Sequence, residues 1–162
     1  MQIPPHIGLR FCVVLVVLAA LALAPVGQSA TTQTRAERSL VEAVNDVRDA
    51  HNLRPLRIDP ALVRAARGYS ASMLRRNVFE HGSFADRIVR QGARGPALGE
   101  NLAWGVGRRA SARRIVGAWM NSPGHRENLL RPGWDRIGIG ALKGRFLGVR
   151  GATVVTADFA GS

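Results

Sequence analysis

The spacing of apolar residues changes once along this chain, and that change limits the fold more than any other feature. Between Thr34 and Arg76 the apolar side chains recur every three or four residues, as on one face of a helix. From Asp135 onward the pattern is that of strands. Ile137, Ile139 and Ala141 alternate with Gly138 and Gly140, and Ala152 to Phe159 is a largely apolar run. Helices gathered in the first half and strands at the end point to an α+β fold rather than a parallel α/β sheet.

Element boundaries follow from capping chemistry. Thr34-Arg35-Ala36-Glu37 has the form of a capping box, and Leu40, Val41, Val44 and Val47 carry that helix to about His51. Leu53 to Ile58 is a connector containing Pro55. Asp59-Pro60 reads as N-cap and first-turn proline of a second helix, through Leu62, Ala65, Ala66, Tyr69 and Met73 to about Arg76. Ser83-Phe84-Ala85-Asp86 resembles another capping box, for a short helix ending near Gly92. Gly92 to Gly99 is a loop. Glu100 to Trp104 is either a short strand or an irregular buried segment. Ser111 opens a helix through Ile115, Val116 and Trp119 to about Asn121, and Ser122-Pro123 opens the next. The glycines between Ile137 and Ala141 imply a strand pressed closely against a neighbour, and Lys143-Gly144 begins a hairpin-like connection.

Phe11 to Ala24 is an unbroken apolar run behind His6 and Arg10, ended by Pro25 and Gly27. A membrane span takes roughly 20 apolar residues. This shorter run has the size of a signal-peptide core. Residues 1–30 are therefore read as a signal peptide, cleaved after Ser29 or Ala30, with an uncleaved anchor as the alternative. Residues 31–162 form one domain with no further membrane span, expected to be a monomer. Cys12, the only cysteine, lies in the apolar run. Leu9-Arg10-Phe11 lacks the small residues of a lipoprotein site. The exported part thus has no cysteine nucleophile and no cysteine metal ligand, and export without disulfides suits a bacterial secreted protein.

The net charge of +12 comes almost wholly from arginine, with Lys143 the one lysine. Such a field favours anionic neighbours, such as phospholipid headgroups or acidic cell-wall polymers. The arginines are dispersed, with pairs at Arg75-Arg76, Arg108-Arg109 and Arg113-Arg114, and no aromatic residues are interleaved to stack bases. No nucleic-acid partner is expected.

Four ionisable residues stand in apolar or Gly-rich context: His81, Glu100, His125 and Glu127. Ser122-Pro123-Gly124-His125 places His125 in a first helical turn, where the dipole disfavours the imidazolium. A neutral histidine near a carboxylate suits a metal or acid–base site. An ordinary capped helix carrying a polar histidine remains the plain alternative. There is no H-E-x-x-H helix and no G-x-S-x-G elbow.

Several segments together resemble one family. They are Val44-Asn45-Asp46-Val47-Arg48 with Leu53-Arg54-Pro55-Leu56; Asp59-Pro60-Ala61-Leu62; Phe79-x-His81; Gly99-Glu100-Asn101-Leu102-Ala103; Trp119 through Leu130; Ile137-Gly138-Ile139-Gly140; and Ala157-Asp158-Phe159. In this order they resemble the CAP superfamily (cysteine-rich secretory proteins, antigen 5 and pathogenesis-related 1 proteins), in its cysteine-free bacterial SCP-domain branch. The resemblance implies a three-layer α-β-α sandwich with a central antiparallel sheet. It also implies a cleft where two histidines and two glutamates meet, in which several members hold zinc or another divalent cation.

His81, Glu100 and His125 match three of those four positions. At the fourth, Trp119 is followed by Met120, Asn121 and Ser122, with no carboxylate, and Glu127 aligns differently. Losing one carboxylate weakens a cation site and removes a candidate general base. Ser122, Asn101, Glu127 and Asn128 are expected to support the cleft, with Asn45, Asn101 and Asn128 satisfying buried backbone groups. Trp104, Trp119 and Trp134 are expected in the core or cleft wall.

The expected function is a secreted, non-enzymatic binding module for a lipid, cell-envelope or protein ligand, able to hold a divalent cation weakly. The alternative is a secreted metal-dependent hydrolase of peptide or cell-wall material, with metal on His81 and His125 and Glu100 or Glu127 as base. A purely structural envelope domain is the third reading.

Overall fold

A computed structural model describes residues 32–161, so the segment read as a signal peptide, residues 1–30, lies outside the described residues. The first helix, α1 (Arg35–Asp49), starts at the expected box. Thr34 Oγ1 accepts from the Glu37 N–H at 3.2 Å, and the Glu37 carboxylate accepts from the Thr34 N–H at 2.8 Å. Helix α2 (Pro60–Arg76) starts with Asp59 Oδ1 accepting from the N–H groups of Ala61 and Leu62. Between them Arg57–Ile58 forms a two-residue strand, β1. Helix α3 (Phe84–Arg90) is present, but Ser83 makes no side-chain cap, so the expected box there does not form.

Strand β2 (Leu98–Val106) resolves the ambiguity at Glu100 to Trp104 in favour of a strand. A 3-10 turn (Gly107–Ala110) leads to α4 (Ala112–Met120) and α5 (Pro123–Leu130). Strands β3 (Trp134–Phe146) and β4 (Val149–Gly161) close the chain. They are longer than expected. Their turn falls at Leu147-Gly148, both with positive φ, rather than at Lys143-Gly144.

The sheet order is β1-β3-β4-β2. The three long strands are antiparallel, as expected, while β1 joins β3 in parallel through Arg57↔Arg136 and Ile58↔Ile137. One apolar cluster joins Leu40, Val41 and Val44 of α1, Ile115, Val116 and Trp119 of α4, and Leu129 of α5 to Ile137, Ile139, Val155, Ala157 and Phe159 of the sheet. The opposite face meets α2 and α3 through Leu62, Met73 and Ile88 against Leu102, Val154 and Ala160. This is an α-β-α sandwich. No helix of the described residues is long and apolar enough to cross a membrane.

Helix α2 lies directly on the glycines of β3. A methyl group at Gly138 would sit 2.1 Å from the Leu62 carbonyl carbon, and one at Gly140 2.4 Å from that of Ala66. Both are backbone atoms of a packed helix and cannot step aside singly. Gly138→Ala is therefore expected to lose about 3 kcal/mol or more of stability in urea unfolding, the upper end for an overpacked core. Gly117→Ala, on α4 with open space around it, should be neutral or gain up to about 1 kcal/mol from helix propensity. Equal effects at the two positions would contradict the close helix–sheet contact.

Candidate cleft at the free edge of strand β2

Strand β2 pairs only with β4, so its other edge is open. Its side chains alternate between the two helical layers. Glu100 and Leu102 point toward α2, and Asn101 points toward α5. Side chains from both layers can therefore meet around this edge, and His81 and His125 do so. Their ring centroids lie 6.4 Å apart with planes at 35°.

His81 is carried by the loop after α2. Asn77 ends that helix in the left-handed region, and Tyr69 Oη donates to the Glu80 carbonyl at 2.6 Å. Gly82, with φ near 57°, packs beneath the same phenol, so a Cβ there would lie 2.8 Å from Tyr69 Oη. The loop is thus seated on α2. His81 Nδ1 lies 2.8 Å from Glu100 Oε1.

The Glu100 side chain is fully buried. Its second oxygen accepts from Arg87 Nη2 of α3. Arg87 Nη2 also donates to Asp158 Oδ1 at 3.3 Å, and its guanidinium lies 3.7 Å from the Tyr69 ring centroid. Asp158 is paired with Glu100 across the β2–β4 ladder and is itself buried. Its Oδ2 and the Nε of Arg87 have no hydrogen-bond partner.

His125 is the third residue of α5. Its Nδ1 lies 3.0 Å from Ser122 Oγ, and its carbonyl accepts from Asn101 Nδ2 at 3.0 Å. Ser122 makes no side-chain cap; its hydroxyl is spent on the imidazole instead. Asn128 Nδ2 donates to the Glu100 carbonyl at 3.1 Å and to Asn101 Oδ1 at 3.0 Å. Asn101 and Asn128 thus serve the backbone, as does Asn45, which holds both the N–H and the carbonyl of Leu56. Glu127 is exposed and has no hydrogen bond or ion pair among the described residues. Trp119 and Trp134 are buried, whereas Trp104 is 36% exposed and is not a core residue.

Burial dominates the electrostatics. It pushes the Glu100 carboxyl up to about 7, outweighing the opposing pull of Arg87. It also raises Asp158 well above its ordinary value, with Glu100 adding repulsion. Burial lowers His81, helped by the Arg87 charge, and lowers His125, helped by His81. Both imidazoles are therefore held neutral. Desolvation, rather than the helix dipole read from the sequence, leads the effect on His125. With each Nδ1 engaged, the Nε2 atoms remain for an outside group.

No group of three or more His, Cys, Asp or Glu among the described residues is arranged to hold a metal ion. Glu100 adjoins His81, but its carboxylate is shared between that imidazole and Arg87. Reasoning from sequence missed Arg87 and Asp158. Asp158 carried a usable signal, a lone acid in an apolar strand; Arg87 was one arginine among many.

This sandwich, with a polar cleft at a sheet edge, defines the class of small SCP-type domains. Solved structures with the same fold include an extracellular SCP-domain protein of Bacillus anthracis, with TM-score 0.67 and 27% identity over 78% of this chain and 40% of that one. Another is an outer surface protein of Borrelia burgdorferi, with TM-score 0.63 and 26% identity over 77% of this chain and 92% of that one. Residues 41–159 match the CAP, or cysteine-rich secretory protein, family, and the chain belongs to it. YkwD of Bacillus subtilis, an uncharacterised protein, is 38% identical over 112 residues, 66% of this chain and 42% of YkwD. The matched region thus spans less than half of that relative.

The pH dependence of stability tests the charge state of Glu100. The folded chain holds this proton up to about pH 7 and the unfolded chain only to about 4.5, so Glu100 makes stability fall as pH rises through that window. The histidines act oppositely. Their lowered folded pKa values make stability fall as pH drops below the unfolded value of 6.5. Glu100→Gln removes the first contribution, eases the repulsion that raises Asp158, a shift of the same sign, and leaves the histidines to act. Its unfolding free energy, from urea titrations at constant ionic strength, should rise more steeply between about pH 5 and pH 7 than that of the wild type. Parallel curves would mean that Glu100 is ionised throughout.

Proposed function

We propose that this chain is an exported, non-enzymatic binding module of a bacterial cell envelope, and that the His81–His125 cleft is its recognition site. One observation carries this reading: the buried acid of the cleft, Glu100, is already committed to His81 and Arg87. It is not free to act as a base toward a bound substrate. Ser122 stands beside His125, but His125 has no carboxylate partner among the described residues to orient it as a base. The signal-like N-terminus and the extracellular and outer-surface relatives support export.

The donors present fit a divalent cation only weakly. Two neutral imidazoles would supply the protein ligands, with Glu100 fixing the orientation of His81 from behind, as outer-shell carboxylates do. A cation bound there would act as a Lewis acid toward an oxygen of the ligand. A cation on two side chains and water is held less firmly than one on the usual three or four protein ligands.

The protein purified without a histidine tag should take up one zinc ion in calorimetric titration, with a Kd in the micromolar range or weaker. His81→Ala and His125→Ala should each abolish that uptake. All three proteins should leave peptide and cell-wall substrates uncleaved, and the wild type should be retained on envelope fragments. Zinc-dependent release of fragments that disappears in His125→Ala would establish a hydrolase instead. Wild-type retention that both alanine variants share in full would remove the cleft from recognition.

A further inference from the structure

Six of the eight large apolar side chains exposed among the described residues gather at one end of the sheet. Val78 and Phe79 follow α2, Trp104 and Val106 end β2, and Leu147 and Val149 flank the β3–β4 turn. The Phe79 and Trp104 rings both meet the buried Phe146 edge-on, with centroids at 6.3 and 5.8 Å. Val149 pairs with Phe146, and the Leu147 N–H donates to Asn77 Oδ1 at 2.6 Å. The three tips are therefore locked into one face. They are bare because α2 stops at Arg76 while the strands run on past it.

Cations adjoin these tips along the chain. Arg108 and Arg109 follow β2, and Lys143, Arg145 and Arg150 belong to the hairpin. All five are exposed, and none forms an ion pair among the described residues. The one acid in these tip segments, Glu80, is already paired with Arg76 at 2.6 Å.

We propose that this end of the sheet is a docking face for the surface of an anionic phospholipid bilayer, with Trp104, Leu147 and Val149 entering the headgroup–acyl boundary and the flanking arginines on the phosphates. The chemistry of each part fits that occupant. An indole is at home where one side is apolar and the other wet. Aliphatic tips gain by leaving water, and arginine stems lie along apolar surface while their heads reach anionic groups. A cluster of cations beside such a tip is drawn to anionic headgroups. A second copy fits poorly, because symmetric pairing would set the five cations against their own kind. The inference goes beyond the cleft reading and does not rest on it. Its test uses neither His81 nor His125, so its failure leaves that reading standing.

Tryptophan emission provides the test. Trp119 and Trp134 are 1% exposed and Trp104 36%, so a shift on adding vesicles reports Trp104. The chain recovered after export is mixed with vesicles of phosphatidylcholine, alone or with about one-third phosphatidylglycerol. Acyl-brominated lipid serves as quencher. The anionic vesicles should shift the emission to the blue and quench it, and the neutral vesicles should not. High salt should reverse the effect. Leu147→Asp should abolish the shift, and the double variant Arg108→Glu, Arg109→Glu should weaken vesicle affinity roughly tenfold or more. All of these side chains are exposed, and unchanged thermal melts check the fold. Equal response to neutral vesicles, vesicle binding without a Trp104 shift, no binding, or a vesicle-free shift that grows with protein concentration would each overturn the proposal.

Discussion

The cleft depends on one geometric fact: strand β2 sends consecutive side chains into different layers and has only one neighbour. Glu100 goes under α2 and α3, Asn101 goes under α5, and at the edge between them the two layers exchange contacts. An open strand edge is also a hazard, because its unpaired backbone groups invite another strand. Here Asn128 reaches the Glu100 carbonyl and the Asn101 side chain together, so α5 covers the edge where the cleft opens. Edge protection and placement of His125 are the same set of hydrogen bonds.

The inner wall of the cleft holds two carboxyls and one guanidinium, all buried or nearly so. Burying carboxylates without full compensation is costly, and proteins escape the cost by keeping protons on them. Arg87 compensates in part, and the raised Glu100 and Asp158 show that it does not do so fully. Arg87 is fixed in turn by the Tyr69 ring, and Tyr69 holds the loop that presents His81. His81 and Glu100 are therefore linked twice, by their direct contact and through Tyr69.

Much of the fold was legible because its signals are local. The Thr34 box, the Asp59-Pro60 start and the glycines of β3 each act within a few residues or along one strand, and each appears where its chemistry requires. The hydroxyls were the unreliable signals. Ser83 and Ser122 occupy N-cap positions, yet neither caps, and Ser122 is drawn off by His125. In the site, the segments bearing His81, Glu100 and His125 could be matched to a known family pattern. Asp158 lay in a matched segment too, but its role and that of Arg87 arise only from strand register and helix packing. Asp158 matters because β4 sets it opposite Glu100. The exposure of Trp104 was hidden for a similar reason: nothing local reveals that α2 ends before the sheet does.

A chain with no cysteine in its folded domain must join its layers by other means, and here arginines make the joints. Arg48 of α1 is fully buried and donates to the carbonyls of Arg54, Leu129, Arg131 and Trp134. One guanidinium thus ties the first helix to the connector, the end of α5 and the start of β3. No carboxylate meets it, and burial lowers its pKa. Its five donors nevertheless suit a nest of carbonyls better than the point charge of a lysine would. Glu37 of α1 takes a two-pronged contact from Arg67 of α2, at 2.7 and 2.5 Å, while also closing the Thr34 box. Directional polar contacts of this kind fix positions that an apolar core alone leaves free to slide. At the β2 edge the same principle holds with Arg87, Asn101 and Asn128 as the joints, so the groups that shape the cleft also hold the sandwich together there.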